Sequence, residues 1–243
     1  TAVMVTHNET STGVTHPLQE IAGVVKGDFG KLLLVDAVSS LGCIPLPVDG
    51  WSCDAVATAS QKGFMIPPGL AFISFSERAW QAHAEATMPR YYLDISMYKR
   101  YLEIGQPPYT PAVSVMFALD LALEKLLKEG MDSVFRRHTE IGEATRSGLK
   151  AQELTLFADE AVASNTVTAV KVPDGVDGGR LLSMMREEHG VVLAGGQQSM
   201  SGKIFRIGHM GYTTSEDIEG VLTALAEALP RVGYEPSRAG VGG

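Results

Sequence analysis

The chain of 243 residues is predicted to be an α/β protein, a layered sheet-and-helix unit followed by a smaller α+β portion. Two observations carry the prediction. In the first third, short apolar runs alternate with turn signals, and a strand, a helix and a strand follow one another as in a parallel β-α-β unit. In the last third, strands and helices are mixed around what reads as a compact core of its own. Helices packed on a sheet are the layer arrangement such a pattern forms.

The elements follow in order. Residues 2–5 form an apolar run that reads as a buried strand. Residues 17–25 place Leu18, Ile21, Ala22 and Val25 at helical spacing, closed by Gly27. Residues 31–35 give the second strand, parallel to the first and expected to be buried on both faces. Further short strands are expected at 54–57 and 70–74. The segment 106–111 holds three prolines, which remove donors and fix φ, so it cannot be helix interior. A long helix follows at 112–129, with Val113, Met116, Phe117, Asp120 and Leu121 in register and Gly130 as its stop. A second helix at 132–150 puts Val134, Phe135, His138, Ile141 and Leu149 on one face.

Residues 166–172 read as a strand, Gly178–His189 as a helix ended by Gly190, and 203–207 as another strand. Thr213-Thr214-Ser215-Glu216 has capping-box spacing before an amphipathic helix to Leu229. The expected domains are therefore 1–130, 131–235 and a loose polar tail at 236–243.

Composition excludes several functions. Apolar residues make up 45% and charged residues 20%, a balance suited to a packed core and too apolar for disorder. The net charge of −8 argues against a nucleic acid or an anionic membrane as main partner, because an acidic field repels either polyanion. No apolar stretch approaches the roughly 20 residues that span a bilayer. Two cysteines, Cys43 and Cys53, cannot build a disulfide framework or a tetrahedral metal site, and the six histidines show no metal-ligand spacing. No metal is expected, and a reducing, cytoplasmic compartment is the default. The chain opens in an apolar run without a Met, which reads as the later part of a longer polypeptide.

Two residues draw chemistry to the first domain. Lys62 sits among small and apolar neighbours in Ala59-Ser60-Gln61-Lys62-Gly63-Phe64, a setting in which an amine readily loses its charge and becomes a nucleophile. Taken alone, it reads as a surface lysine in a turn. Asp36 ends a strand, where α/β folds place ligands, and alone it reads equally as a cap or turn residue. Together, an Asp at one strand end and a Lys 26 residues later resemble the signature of pyridoxal-phosphate enzymes.

The surrounding words narrow the resemblance. Val35-Asp36-Ala37-Val38-Ser39-Ser40-Leu41-Gly42, Ser60-Gln61-Lys62-Gly63 and Pro67-Pro68-Gly69-Leu70 resemble the class V aminotransferases, especially the alanine–glyoxylate and serine–glyoxylate group. His7-Asn8-Glu9-Thr10-Ser11-Thr12-Gly13 is similar to that group's His-Gly-Glu-(Ser/Thr)-Ser-Thr-Gly loop, with Asn8 where Gly is frequent. Ile204-Phe205-Arg206-Ile207-Gly208 resembles its substrate-arginine strand.

The resemblance implies the aspartate-aminotransferase-like fold, fold type I, with this chain supplying the later part of the large domain and the small C-terminal domain. It implies pyridoxal 5'-phosphate as cofactor. Lys62 would form the Schiff base and move the substrate proton, and Asp36 would pair with the ring nitrogen. Val38 would pack on the ring, Thr10 would bond near the ring hydroxyl, and Gln61 would contact the phosphate. Arg206 would clamp the substrate carboxylate, with a structural salt bridge as its alternative. Thr110 would reach the phosphate of a neighbouring subunit, implying a homodimer.

The reaction implied is transamination between alanine or serine and glyoxylate or pyruvate. The family's phosphate-cradling glycine loop and ring-stacking aromatic belong to its N-terminal part, which this chain lacks, so the chain alone is expected to bind cofactor poorly and to have no useful activity. The missing part could be a separate N-terminal chain. A desulfurase-type lyase is disfavoured, since Gln61 stands where those relatives carry His and residues 193–199 contain no Cys. A silent, partner-binding subunit of the same fold is the remaining alternative.

Overall fold

The computed structural model describes residues 1–235, so the expected tail at 236–243 lies outside the described residues. Strand β1 (Ala2–Thr6) runs into a small hairpin, β2 (Asn8–Glu9) and β3 (Val14–Thr15), and then helix α1 (Leu18–Gly23). The helix loosens into a wider turn over Val24–Asp28 before β4 (Leu32–Asp36). Strands β5 (Ala55–Ala59) and β6 (Ala71–Phe75) complete a four-stranded sheet of order β1-β4-β5-β6. β1, β4 and β5 are parallel, and β6 is antiparallel to β5.

Alternation along these strands builds the first core. Leu33 and Val35 point to one face, where they meet Leu18, Ala22 and Val25 of α1 and its loosened end. The opposite face departs from the expectation of burial on both sides. Met4 is 83% exposed and Ile73 57%, because the α1 layer covers one side of the sheet only.

After the sheet come α2 (Glu77–Glu85) and α3 (Ile95–Glu103), capped by Ser76 and Asp94 and not anticipated from the sequence pattern. Helix α4 (Val113–Glu129) has nearly the expected span but a different buried stripe. Ala122 and Leu126 are buried, whereas Phe117 is 75% exposed and Val113, Met116 and Leu121 also face outward.

The second core is a three-stranded antiparallel sheet under helices. Helix α5 (Met131–Ala151), strand β7 (Val167–Lys171), helix α6 (Gly178–His189), strands β8 (Ala194–Gly195) and β9 (Ile204–Gly208), and helix α7 (Ser215–Arg231) make it in that order. The strand order is β7-β9-β8. Leu149, Val170, Leu181, Met185, Phe205 and Leu225 are fully buried at its centre. Each such side chain contributes about 1.5–3 kcal/mol by leaving water. Gly190 stops α6 in the left-handed region at φ +68. The capping box of α7 is formed by Thr214 and Asp217, one residue beyond the expected Thr213–Glu216 pair.

Candidate active site

The parallel pairing of β4 with β5 sets Asp36 beside Ala57, so both strands release their C-terminal ends at one sheet edge. Asp36 is the last residue of β4 and its carboxylate is exposed there. One of its oxygens accepts the Val38 N–H at 2.9 Å, which is the turn role expected of it. Val38 is half-buried in the turn that follows.

Lys62 leaves the same edge from the turn after β5. It is half-buried, not a surface lysine, and its amine has no hydrogen bond or ion pair among the described residues. The turn around it is tightly fixed. Ser60 Oγ donates to Pro67 O at 2.8 Å and accepts the Leu70 N–H at 3.2 Å, tying the two ends of the loop. Met65 donates its N–H to Lys62 O at 2.9 Å from a left-handed backbone, φ +61. Gln61 is exposed on the same turn.

Arg206 comes from the second core, on β9, and is only 7% exposed. Its Nε and Nη2 donate to Gly195 O at 3.0 and 2.9 Å, and its Nη1 donates to Thr10 O at 3.0 Å. Two carbonyls thus engage three of the five guanidinium N–H groups. Arg206 makes no ion pair with a carboxylate among the described residues, which removes the structural salt bridge as its explanation. Nearby Glu9 is held below the usual carboxylate range, mainly by the Ser11 hydroxyl and amide and in smaller part by the Arg206 charge. A buried guanidinium whose hydrogen bonds go to carbonyls keeps its charge and has N–H groups left over.

Thr10 meets Arg206 through its carbonyl, with the side chain half-buried. Thr110 stands apart. It is exposed in the loop between α3 and α4, and among the described residues no hydrogen bond joins it to Asp36, Lys62 or Arg206.

Between the two cores lies a buried polar band that the sequence reading passed over. His7 Nδ1 pairs with Ser40 Oγ at 3.0 Å, and His209 Nε2 with Thr168 Oγ1 at 2.8 Å. Burial lowers the pKa of His7 to about 4, with help from His16, and that of His209 to about 3, with help from Arg146. Burial also pushes the Cys43 thiol up to about 11 and raises Cys53, so both read as inert thiols. Among the described residues no group of three His, Cys, Asp or Glu is placed to hold a metal ion.

The family model for class-V aminotransferases matches residues 1–221. The chain belongs to the class V aminotransferases. Among curated relatives of this aminotransferase chain, the soluble hydrogenase small subunit of Synechococcus is 44% identical over 241 residues. The match covers 99% of the chain and 62% of that relative. The serine–glyoxylate aminotransferase of Methylorubrum extorquens is 35% identical, over 94% of the chain and 58% of the relative. The solved pyridoxamine–pyruvate aminotransferase of Mesorhizobium loti superposes with a TM-score of 0.92 at 37% identity, covering 98% of this chain and 62% of that one.

The aminotransferase chain therefore spans about six tenths of the length of these relatives. Its fold is the pyridoxal-phosphate-dependent transferase fold type I. Pyridoxal phosphate is the cofactor of this family, and the residues present fit it. An unpartnered amine and an exposed carboxylate issue from one sheet edge, as a group with an aldehyde and a ring nitrogen requires.

Proposed function

We propose that this chain supplies the lysine, ring-nitrogen and substrate-carboxylate side of an aminotransferase site. The reaction is transfer of an amino group from alanine or serine to glyoxylate or pyruvate. The observation that carries it is Arg206, a buried guanidinium oriented by Gly195 O and Thr10 O and left without a carboxylate partner. The names of relatives that act on serine and glyoxylate, or on pyridoxamine and pyruvate, support the substrate class.

Bound pyridoxal phosphate supplies an electron sink for the substrate Cα. Lys62 Nζ holds the cofactor and moves the proton at Cα. Asp36, oriented by the Val38 amide, would pair with the ring nitrogen, and Val38 would pack on the ring. Gln61 would contact the phosphate, and Thr10 would bond near the ring hydroxyl. Arg206 binds the carboxylate of donor and acceptor alike.

Thr110, exposed in the loop between α3 and α4, serves the phosphate site of a second copy in a cytoplasmic homodimer. The domain division falls at Gly130, between α4 and α5. The phosphate cradle comes from polypeptide beyond this chain.

Borohydride reduction in pyridoxal phosphate, followed by mass analysis, tests the reading. The expected result is a pyridoxyl adduct on Lys62 when the chain is assembled with the rest of its polypeptide, and none in Lys62→Ala. An assembled protein that takes no adduct would instead support a silent subunit.

A further inference from the structure

We infer that Asn8 is a positioning residue for substrate binding, the tie that fixes Arg206 relative to Asp36. The inference rests on the aminotransferase reading above and goes beyond it. Asn8 is buried, and both ends of its side-chain amide are engaged. Its Nδ2 donates to Ser39 Oγ at 2.9 Å and to Thr166 Oγ1 at 3.1 Å, while its Oδ1 accepts from Thr15 Oγ1 at 2.7 Å. Its own carbonyl accepts from Ser39 Oγ at 2.7 Å.

Those partners belong to three different pieces of the site. Ser39 sits in the turn whose Val38 amide orients the Asp36 carboxylate. Thr15 closes the β2–β3 hairpin, whose tip gives the Thr10 carbonyl to Arg206. Thr166 opens the β7 ladder, its carbonyl accepting the His209 N–H at 2.9 Å, and the same ladder pairs Ala169 with Arg206.

One side chain therefore spans the sheet edge that holds Asp36, the hairpin and the strand pair that holds Arg206. The gap is also crossed by Arg206 Nη1, which donates to Thr10 O at 3.0 Å, and by a backbone link from Ser164 N to Gly13 O at 2.9 Å. Glycine at position 8 would keep the backbone links and lose the amide. The anion site would remain, with its distance to the ring-nitrogen end no longer fixed by Asn8.

The test uses the assembled holoenzyme, with propionate as a non-reacting carboxylate probe. Asn8→Gly is expected to weaken propionate binding and raise the KM for the amino donor about tenfold, the scale of one or two lost buried hydrogen bonds. The pyridoxal phosphate dissociation constant should change less than kcat/KM. Thr166→Val, which cuts the same tie from the other side, should act similarly, and the two together should add little. Thr166→Ser should retain the wild-type value.

Propionate affinity unchanged in both single variants, or fully additive effects, would overturn the inference while leaving the aminotransferase reading intact. A wild-type protein that binds neither cofactor nor propionate would overturn both.

Discussion

Gly63, next to the proposed cofactor lysine, has no room for a side chain. A Cβ there would overlap Leu41 O and come within 3.0 Å of Cys43 Sγ. The constraint is close packing, since the turn carrying Lys62 lies backbone to backbone on the turn after Asp36. Gly63→Ala is expected to destabilise the fold by about 1–3 kcal/mol, as overpacking does, and to reduce pyridoxyl labelling of Lys62. A denaturant titration beside the labelling assay checks both. At this scale the sequence points to Asp36, Lys62 and Arg206 because each lies in a word that resembles the family's. Thr166 lies in none. Its role comes from the 158 residues of chain that fold back to bring it to Asn8.

Helices and strands were legible wherever a period and a stop signal coincided. Gly178–His189 combines an Asp177 cap with a Gly190 stop, and the expected span is the observed one. The buried side of α4 was not legible, because Val113, Met116, Phe117 and Leu121 are apolar while the contacts that select the inward stripe lie at Ala122 and Leu126. Periodicity names an apolar stripe without saying what covers it. α2 and α3 are short, nine residues each, and bury one residue and none, so no core contact marks them in the sequence. At the start of α7, Thr213–Glu216 and Thr214–Asp217 both have capping-box spacing, and the fold uses the second pair. Thr214→Ala is expected to cost about 1 kcal/mol, and Thr213→Ala less, in paired thermal or urea melts.

Over the whole molecule, the buried histidines make stability depend on pH. His7 and His209 stay neutral when folded, with pKa values lowered to about 4 and about 3, and regain the ordinary value near 6.5 on unfolding. The unfolded chain then binds more protons below that value. Their contribution is present above about pH 6.5 and is lost as pH falls toward their folded values. Each can remove up to about 1.4 kcal/mol per pH unit across that window. The urea midpoint should drop between pH 7 and pH 5, and drop less in His209→Asn.

The carbonyl that steadies Arg206 has a consequence for biosynthesis. Thr10 and Arg206 are separated by 196 residues, and Asn8 and Thr166 by 158. Synthesis proceeds from the N-terminus, and domains fold as units while it does. The first sheet and its helix can therefore condense while the hairpin tip still waits for its guanidinium. Closing so long a loop is entropically slow, and the contact between Arg206 and Thr10 is among the last features a ribosome-born chain acquires. A nascent chain arrested before β9 would carry Asp36 and Lys62 without the arginine proposed to hold the substrate carboxylate.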